Sequence, residues 1–363
     1  MTTATTATTT TATTTASAAN ANTGFAPWQQ RVYAQTTAAL DSGRLGHGLL
    51  FCGPAQLGKR ALAERLAKRI LCIARDSDGE PCGHCRSCQL FVAGTHPDYA
   101  VVTLEMNKEG TKLRTEIVIE QIRHLSERMS LTPQYGGAQI VILDPADAIN
   151  HAACNALLKT LEEPHAGRYL WLIASRPGRL PATIRSRCQR VEFRLPPAQE
   201  SLQWLQGRGH AAAAAAEALD GARGHPGLAD HWLREGGLNL RREVADDLAA
   251  LARGARSPAE TAQRWAGAEG LDARLRHAAD LAVAEATRLG GPEFFTQAGG
   301  GLTNARRIRT LATWFDAANR TRDLLRTTVR ADLAVTELLA QWRAAPAAPP
   351  QNAPTGHPPR GKA

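Results

Sequence analysis

Gly53-Pro54-Ala55-Gln56-Leu57-Gly58-Lys59-Arg60 stands between a short apolar run, Gly48–Cys52, and a stretch of helical periodicity, Lys59–Ile73, in which Leu62, Leu66, Ile70 and Ile73 fall on one face. Strand, glycine-bounded loop and helix in this order are the context that the pattern G-x-x-x-x-G-K-[ST] requires of a phosphate-binding loop. Glycines let backbone N–H groups cradle phosphate, the helix N-terminus adds its dipole, and Lys59 reaches toward the β- and γ-phosphates. The last position departs from the pattern. Arg60 stands where a Ser or Thr hydroxyl would ligate Mg²⁺, and a guanidinium repels a cation rather than coordinating it. Gly53, Gly58 and Lys59 are therefore the candidate cofactor-binding residues of a degenerate loop whose hold on a nucleotide is doubtful. The plain alternative is a strand–turn–helix with no ligand.

Outward from the loop, short apolar runs alternate with helical stretches up to about Leu195. Tyr99–Leu104, Gln139–Leu143, Tyr169–Ala174 and Arg190–Phe193 read as strands, and Ile119–Met129 and Ala152–Glu162 as helices. Strands alternating with helices imply βαβ units around a parallel sheet covered on both faces. The run Val141-Ile142-Leu143 ends on Asp144, the place for a metal-holding acid, but Pro145 follows where a water-polarising Glu would stand. Phosphoryl transfer rests on positioning and charge neutralisation, so the departures at Arg60 and Pro145 together remove both the metal ligand and the base. Without that role, Asp144 is a strand-end turn residue.

Cys82-Gly83-His84-Cys85-Arg86-Ser87-Cys88 is a C-x-x-C-x-x-C cluster, and Cys72 ends the preceding helix. Four thiolates at Cys72, Cys82, Cys85 and Cys88 suit a closed, structural, tetrahedral Zn²⁺ site. A redox pair, an iron–sulfur cluster, or His84 in place of one cysteine are the alternatives. Cys52 and Cys154 read as core packing. Between Arg176 and Arg190 lie Arg176, Arg179, Arg185, Arg187 and Arg190 with no acid among them. This is either an exposed basic turn or a guanidinium aimed at phosphate outside the subunit.

The chain has 363 residues, 43 Lys+Arg against 34 Asp+Glu, and a formal net charge of +9. At about 100–200 residues per domain it holds two or three domains. The basic balance permits an acidic partner such as nucleic acid, and equally a solvated Arg-rich surface. No uncharged apolar run approaches the ~20 residues of a spanning helix, which argues against an integral membrane protein, and no membrane partner is expected. Residues 1–24, nearly all Thr, Ala, Ser and Asn, lack the basic start and apolar core of an export signal, so a cytoplasmic location is expected. They have nothing to bury and read as a disordered tail, as does the Pro-rich end at 344–363. Between the tails the expected domains are 25–195 (α/β, with the cysteine module at about 72–88), a small helical domain at 196–237, and a second helical domain at 238–343, whose last helix carries Leu333, Val335, Leu338, Leu339 and Trp342.

Taken together, the loop at Gly53–Lys59, the four cysteines, Gly94-Thr95-His96-Pro97-Asp98-Tyr99, Asn155-Ala156-Leu157-Leu158-Lys159-Thr160-Leu161-Glu162-Glu163-Pro164 and Ser186-Arg187-Cys188 closely resemble the delta prime subunits of the bacterial DNA polymerase III clamp loader, within the AAA+ superfamily. The resemblance implies an α/β P-loop NTPase (AAA+) domain with an inserted zinc module, a small helical lid and an all-α C-terminal collar domain. It implies a ring with gamma/tau and delta subunits that loads the sliding clamp onto primed DNA, as part of the polymerase holoenzyme. It implies a catalytically silent member with no ATPase of its own, in which Arg187 is an arginine finger contacting ATP bound on a neighbouring subunit. Gly227 falls where active relatives carry an arginine on the nucleotide. Two other readings stay open on the residues: an ATPase that hydrolyses in its own loop despite Arg60 and Pro145, and a zinc-dependent nucleic-acid-binding module. Asp76, Asp78 and Glu80 oppose Arg75 and Arg86 within that module and weigh against the latter.

Overall fold

The computed structural model describes residues 24–107, 109–135, 137–290, 301–325, 327 and 329–344. The tails expected at 1–24 and 344–363 lie outside the described residues, apart from Gly24 and Ala344. Two compact units share the chain, one ending at His231 and the other starting at Trp232.

In the first unit α1 (Pro27–Asp41) leads to β1 (Gly48–Cys52), α2 (Lys59–Leu71) and α3 (Arg86–Val92). Then come β2 (Tyr99–Val102), α4 (Ile119–Ser130), β3 (Gln139–Leu143), α5 (His151–Glu162), β4 (Arg168–Ala174), α6 (Ala182–Arg185) and β5 (Gln189–Glu192). The strands form one sheet in the order β2-β3-β4-β1-β5, and every neighbouring pair is parallel. Gly48 lies opposite Leu170, Leu49 opposite Gln189, and Tyr99 opposite Ile140.

The continuous apolar runs of β1, β3 and β4 are explained by burial on both faces, since alternate residues of a strand point to opposite sides. Leu50, Cys52, Val141, Leu143, Leu170 and Leu172 pack with Ile122 and Leu125 of α4, Leu157 and Leu161 of α5, and Ile184 of α6. Leu49, Phe51, Ile140, Ile142, Trp171 and Ile173 pack with Trp28 and Tyr33 of α1 and Leu62 and Leu66 of α2. Ile73 departs from the expected stripe: α2 ends at Leu71, so Ile73 lies beyond the helix and is exposed. The unit closes with α7 (Ala198–Gly207) and α8 (Ala212–Gly221). The Arg31–Glu200 ion pair (2.8 Å) and the edge-on contact of Trp28 with Trp204 tie α7 to α1.

α9 (Pro226–Glu235) carries the boundary between the units. The second unit contains α10 (Gly237–Ala252), α11 (Pro258–Gly267), α12 (Leu271–Leu289), α13 (Gly301–Leu324) and α14 (Ala331–Ala344). Alanines 278, 279, 282 and 318 let these helices approach closely around Trp265, Trp314 and Trp342. Each indole N–H finds an acceptor: Asp247 Oδ2 (2.8 Å), Leu338 O (2.9 Å) and Leu248 O (3.0 Å) respectively. On α14 the buried stripe is Val335, Leu338, Leu339 and Trp342, the i, i+3, i+4, i+7 spacing of one helix face. Leu333, on the same helix, falls off that face and is exposed. Among the described residues no helix is long and apolar enough to cross a membrane.

Candidate functional site

The candidate phosphate loop sits at the carboxyl end of β1, between the ends of β4 and β5, where ligands of open parallel sheets bind. Gly58 caps α2 with φ of 82°, a left-handed conformation suited to glycine. The loop has the expected form, but its own chain fills it. Lys59 is only 5% exposed, and its Nζ donates to Gly53 O (2.8 Å) and Pro54 O (2.6 Å) and approaches Ser175 Oγ at 3.4 Å. Burial lowers its pKa, against the pull of Asp144 and Asp147. The ammonium that would meet phosphate thus already has acceptors.

The rest of the loop is covered as tightly. A Cβ at Gly58 would meet Gln29 Nε2 at 1.6 Å, and one at Gly53 would meet Phe193 O at 2.1 Å. Trp28 Nε1 donates to Leu57 O (3.1 Å). From the far side, Leu228 N donates to His225 Nδ1 (3.1 Å), so the other ring nitrogen carries the proton and donates to Ala55 O (2.7 Å). Burial, and secondarily nearby Lys59, depress the His225 pKa, which keeps this ring neutral. Gly227 lies against the loop itself: a Cβ there would meet Gln56 O at 1.9 Å. No arginine fits at that place in this arrangement.

Arg60 and Asp144 meet. Arg60 Nη1 is 3.2 Å from Asp144 Oδ2, and its Nε is 2.5 Å from Glu64 Oε1. The positions that a metal ion would bridge, the loop hydroxyl and the acid at the end of β3, are here joined by a guanidinium. Pro145 supplies no ionisable group, and Asp147 is taken by the Ser175 and Arg176 N–H groups (3.4 and 3.1 Å).

The four cysteines converge. The sulfurs of Cys72, Cys82, Cys85 and Cys88 all lie within 4.8 Å of one another, with Cys72 Sγ 3.6 Å from Cys82 Sγ and 3.8 Å from Cys85 Sγ. Backbone N–H groups point at the sulfurs: Cys82 N to Cys72 Sγ (3.4 Å), Cys85 N to Cys82 Sγ (3.3 Å) and Cys88 N to Cys85 Sγ (3.4 Å). For Cys85, burial alone raises the pKa, but the N–H donors of Cys88 and Ile73 and the neighbouring thiols bring it down to about 6. Burial pushes the Cys72 and Cys88 thiols the other way, Cys88 up to about 12, so a bound metal would have to displace their protons. Four sulfurs held this close fit a metal that binds soft donors. His84 is turned to Cys82 O (2.9 Å) and stands outside this set.

The residues that fasten this module were not read from the sequence as functional. Ser87 Oγ donates to Leu71 O (2.6 Å) and accepts from His96 Nε2 (2.9 Å), while His96 Nδ1 accepts from Asp98 N (3.0 Å). The Asp98 carboxylate accepts from Gln134 N and Tyr135 N (2.8 and 2.9 Å). Glu80 accepts from Tyr33 Oη (2.8 Å), Arg65 Nη2 (2.7 Å) and Arg69 Nη1 (2.7 Å). The segment Gly94–Tyr99 therefore bolts the cysteine module to β2. In the sequence Gly94-Thr95-His96-Pro97-Asp98-Tyr99 carried part of the family resemblance, but nothing in it tied His96 and Asp98 to the cysteines.

Arg187 lies two residues past α6 with its side chain 37% exposed, paired with Glu162 Oε1 at 2.5 Å and donating from Nη1 to Thr183 O (2.9 Å). On either side Ile184 and Cys188 are buried, so the backbone at this point is anchored. Arg176 pairs with Asp147 (3.6 Å), so it too has a partner within its own unit.

A family model described as DNA polymerase III, delta subunit, matches residues 28–197. The DNA polymerase III subunit delta' of Pseudomonas aeruginosa is 44% identical over 179 residues, 49% of this chain and 52% of the relative. The chain thus spans about half the length of that relative. The subunit delta' of Haemophilus influenzae is 33% identical over 241 residues, 66% of this chain and 70% of the relative. The gamma/tau subunit of Mycobacterium tuberculosis is 33% identical over 169 residues, 47% of this chain and 28% of the relative. With the Haemophilus protein matched at 33% identity over 70% of its length, and with the family model on residues 28–197, this protein belongs to the delta' subunit family of DNA polymerase III.

Proposed function

We propose that this chain is a clamp-loader subunit that does not hydrolyse ATP. In this reading it assembles with gamma/tau and delta subunits in the cytoplasm, takes part in loading the sliding clamp on primed DNA, and lends Arg187 to ATP held by a neighbouring subunit. The observation that carries the reading is the state of the loop. Lys59 spends its donors on Gly53 O and Pro54 O, and Arg60 binds Asp144 where a metal would sit. A loop so occupied is poorly placed to neutralise phosphate charge, and the acids described beside it are engaged, Asp144 and Glu64 by Arg60 and Asp147 by the Ser175 and Arg176 N–H groups. Arg187, by contrast, is part-exposed on an anchored backbone, as a guanidinium acting on another chain must be. A guanidinium pairs with phosphate oxygens through parallel N–H bonds and stabilises the charge that develops as phosphoryl leaves.

We assign structural zinc to Cys72, Cys82, Cys85 and Cys88, which would hold it by four thiolates and leave no open position for catalysis. A nucleic-acid role for the module alone is disfavoured, because Arg65 and Arg69 beside it are taken by Glu80 and Asp41.

The test compares the purified chain with a complex reconstituted from it and gamma/tau and delta. Alone, the chain is expected to release no phosphate from ATP with Mg²⁺, and Lys59→Ala changes nothing. In the complex, Arg187→Ala leaves assembly intact and lowers turnover, an arginine in trans being worth roughly 10³–10⁵ at the site it serves. Magnesium-dependent hydrolysis by the chain alone, abolished by Lys59→Ala, would overturn the reading, as would unchanged turnover and clamp loading with Arg187→Ala.

A further inference from the structure

Glu162 is the last residue of α5, and its carboxylate meets the Arg187 guanidinium at 2.5 Å. Stability does not account for it there. The two side chains are 37% and 47% exposed, and ion pairs this wet contribute little to folding. An acid in the last turn of a helix also faces the negative end of the helix dipole, where Lys159 has the favoured sign.

The geometry around the pair is unusually constrained. Gly48 at the start of β1 has no side chain, and a Cβ there would meet Leu161 Cδ2 at 3.1 Å and Arg187 O at 3.3 Å. The end of α5 and the backbone of Arg187 therefore close on the same point of the sheet. Ile184 and Cys188 pin the backbone from inside. With Nη1 on Thr183 O and Nη2 on Glu162, two acceptors from two different elements fix the plane of the guanidinium. A guanidinium has more N–H groups than these contacts use, and they lie in the same rigid plane.

We propose that Glu162 is a positioning residue for Arg187: it sets the guanidinium plane in advance, so that the remaining N–H groups meet phosphate oxygens of a nucleotide on a neighbouring subunit without a search through rotamers. This rests on the reading of Arg187 as a donor in trans. The gain is one of orientation before the reaction, the kind of term that a small displacement forfeits.

The experiment is a double-mutant cycle in the reconstituted complex with gamma/tau and delta: Glu162→Ala, Arg187→Ala and both together, with Glu162→Gln as the conservative variant. Glu162→Ala is expected to lower kcat for ATP on the order of tenfold at the site Arg187 serves, a displacement of about 1 Å being able to cost about 100-fold. KM for ATP stays as it was. Glu162→Gln, whose amide oxygen still accepts the hydrogen bond, recovers part of the loss. In the Arg187→Ala background Glu162→Ala has no further effect. A loss equally large in that background, or full turnover in Glu162→Ala while Arg187→Ala is impaired, overturns the positioning role. Full turnover in Arg187→Ala is a different outcome: it removes the reading of Arg187, and this one with it.

Discussion

Gly227 shows how a single absent side chain shuts a site. Its Cα lies so near the loop that an added methyl would meet a backbone oxygen, Gln56 O, at 1.9 Å, and backbone cannot swing aside as a flexible side chain can. Gly227→Ala is therefore expected to destabilise the first unit by about 1–3 kcal/mol, the usual range for overpacking, seen as a lower midpoint in urea at an unchanged slope. Arg60 acts oppositely, by what its side chain fills. Its pairs with Asp144 and Glu64 are all a quarter or more exposed, and such pairs contribute up to about 1 kcal/mol each, so Arg60→Ser costs about 1–2 kcal/mol at most. Restoring a hydroxyl at that position still gives no hydrolysis, because Pro145 offers no base and Lys59 keeps its carbonyl partners. A phosphate-release assay on Arg60→Ser checks this, and activity appearing there would mean that Arg60 alone silences the loop.

At the scale of elements, the cysteine module hangs on a buried polar chain that runs from Leu71 O through Ser87 and His96 to Asp98 N. His96→Ala leaves the Asp98 N–H without its acceptor, and a buried unsatisfied donor costs about 1–3 kcal/mol. With zinc held by the four thiolates as proposed, this substitution should also speed transfer of the metal to a chromophoric chelator, since the helix that holds Cys88 loses its brace; an unchanged transfer rate would make the brace irrelevant to the metal. These elements differ in how legible they were. β3 over Gln139–Leu143 was readable to the residue, because burial on both faces leaves an unbroken apolar run. The cysteines were readable because ligand spacing is local. Ile73 was misjudged because periodicity marks a face but not where a helix stops. The filling of the loop was beyond reach: His225 and Ala55 are 170 positions apart, and no local pattern encodes that contact or the one between Glu162 and Arg187.

For the whole molecule, each unit has its own core, one built on the two faces of the sheet and the other on the tryptophan-rich helices. Separate cores predict separate transitions in calorimetry, and the two respond to different chemistry. Structural metal affinity is folding energy, so removal of the zinc proposed at the cysteines, or Cys85→Ser, should lower the first unit's transition and leave the second in place. Acid should reach the second through His277 of α12. Its ring is buried against Trp232, and burial first, then the charges of Arg241 and Arg276, push its pKa from 6.5 down to about 4. The folded unit thus holds the ring neutral while the unfolded chain protonates it near 6.5, so the unfolded state binds the extra proton first. Stability from this group is complete above pH 6.5 and drains away as the pH falls from there to about 4. Asp272, whose pKa Arg322 and Arg276 hold below 3.8 against its burial, titrates under this window. His277→Gln should flatten the decline of the second transition between pH 6.5 and 4.5 or so, while the first keeps the acid slope that His96 and His225, both depressed by burial, give it. If both transitions shift together under chelation, or if His277→Gln leaves the second transition as acid-sensitive as before, the units do not fold independently in the way their separate cores require.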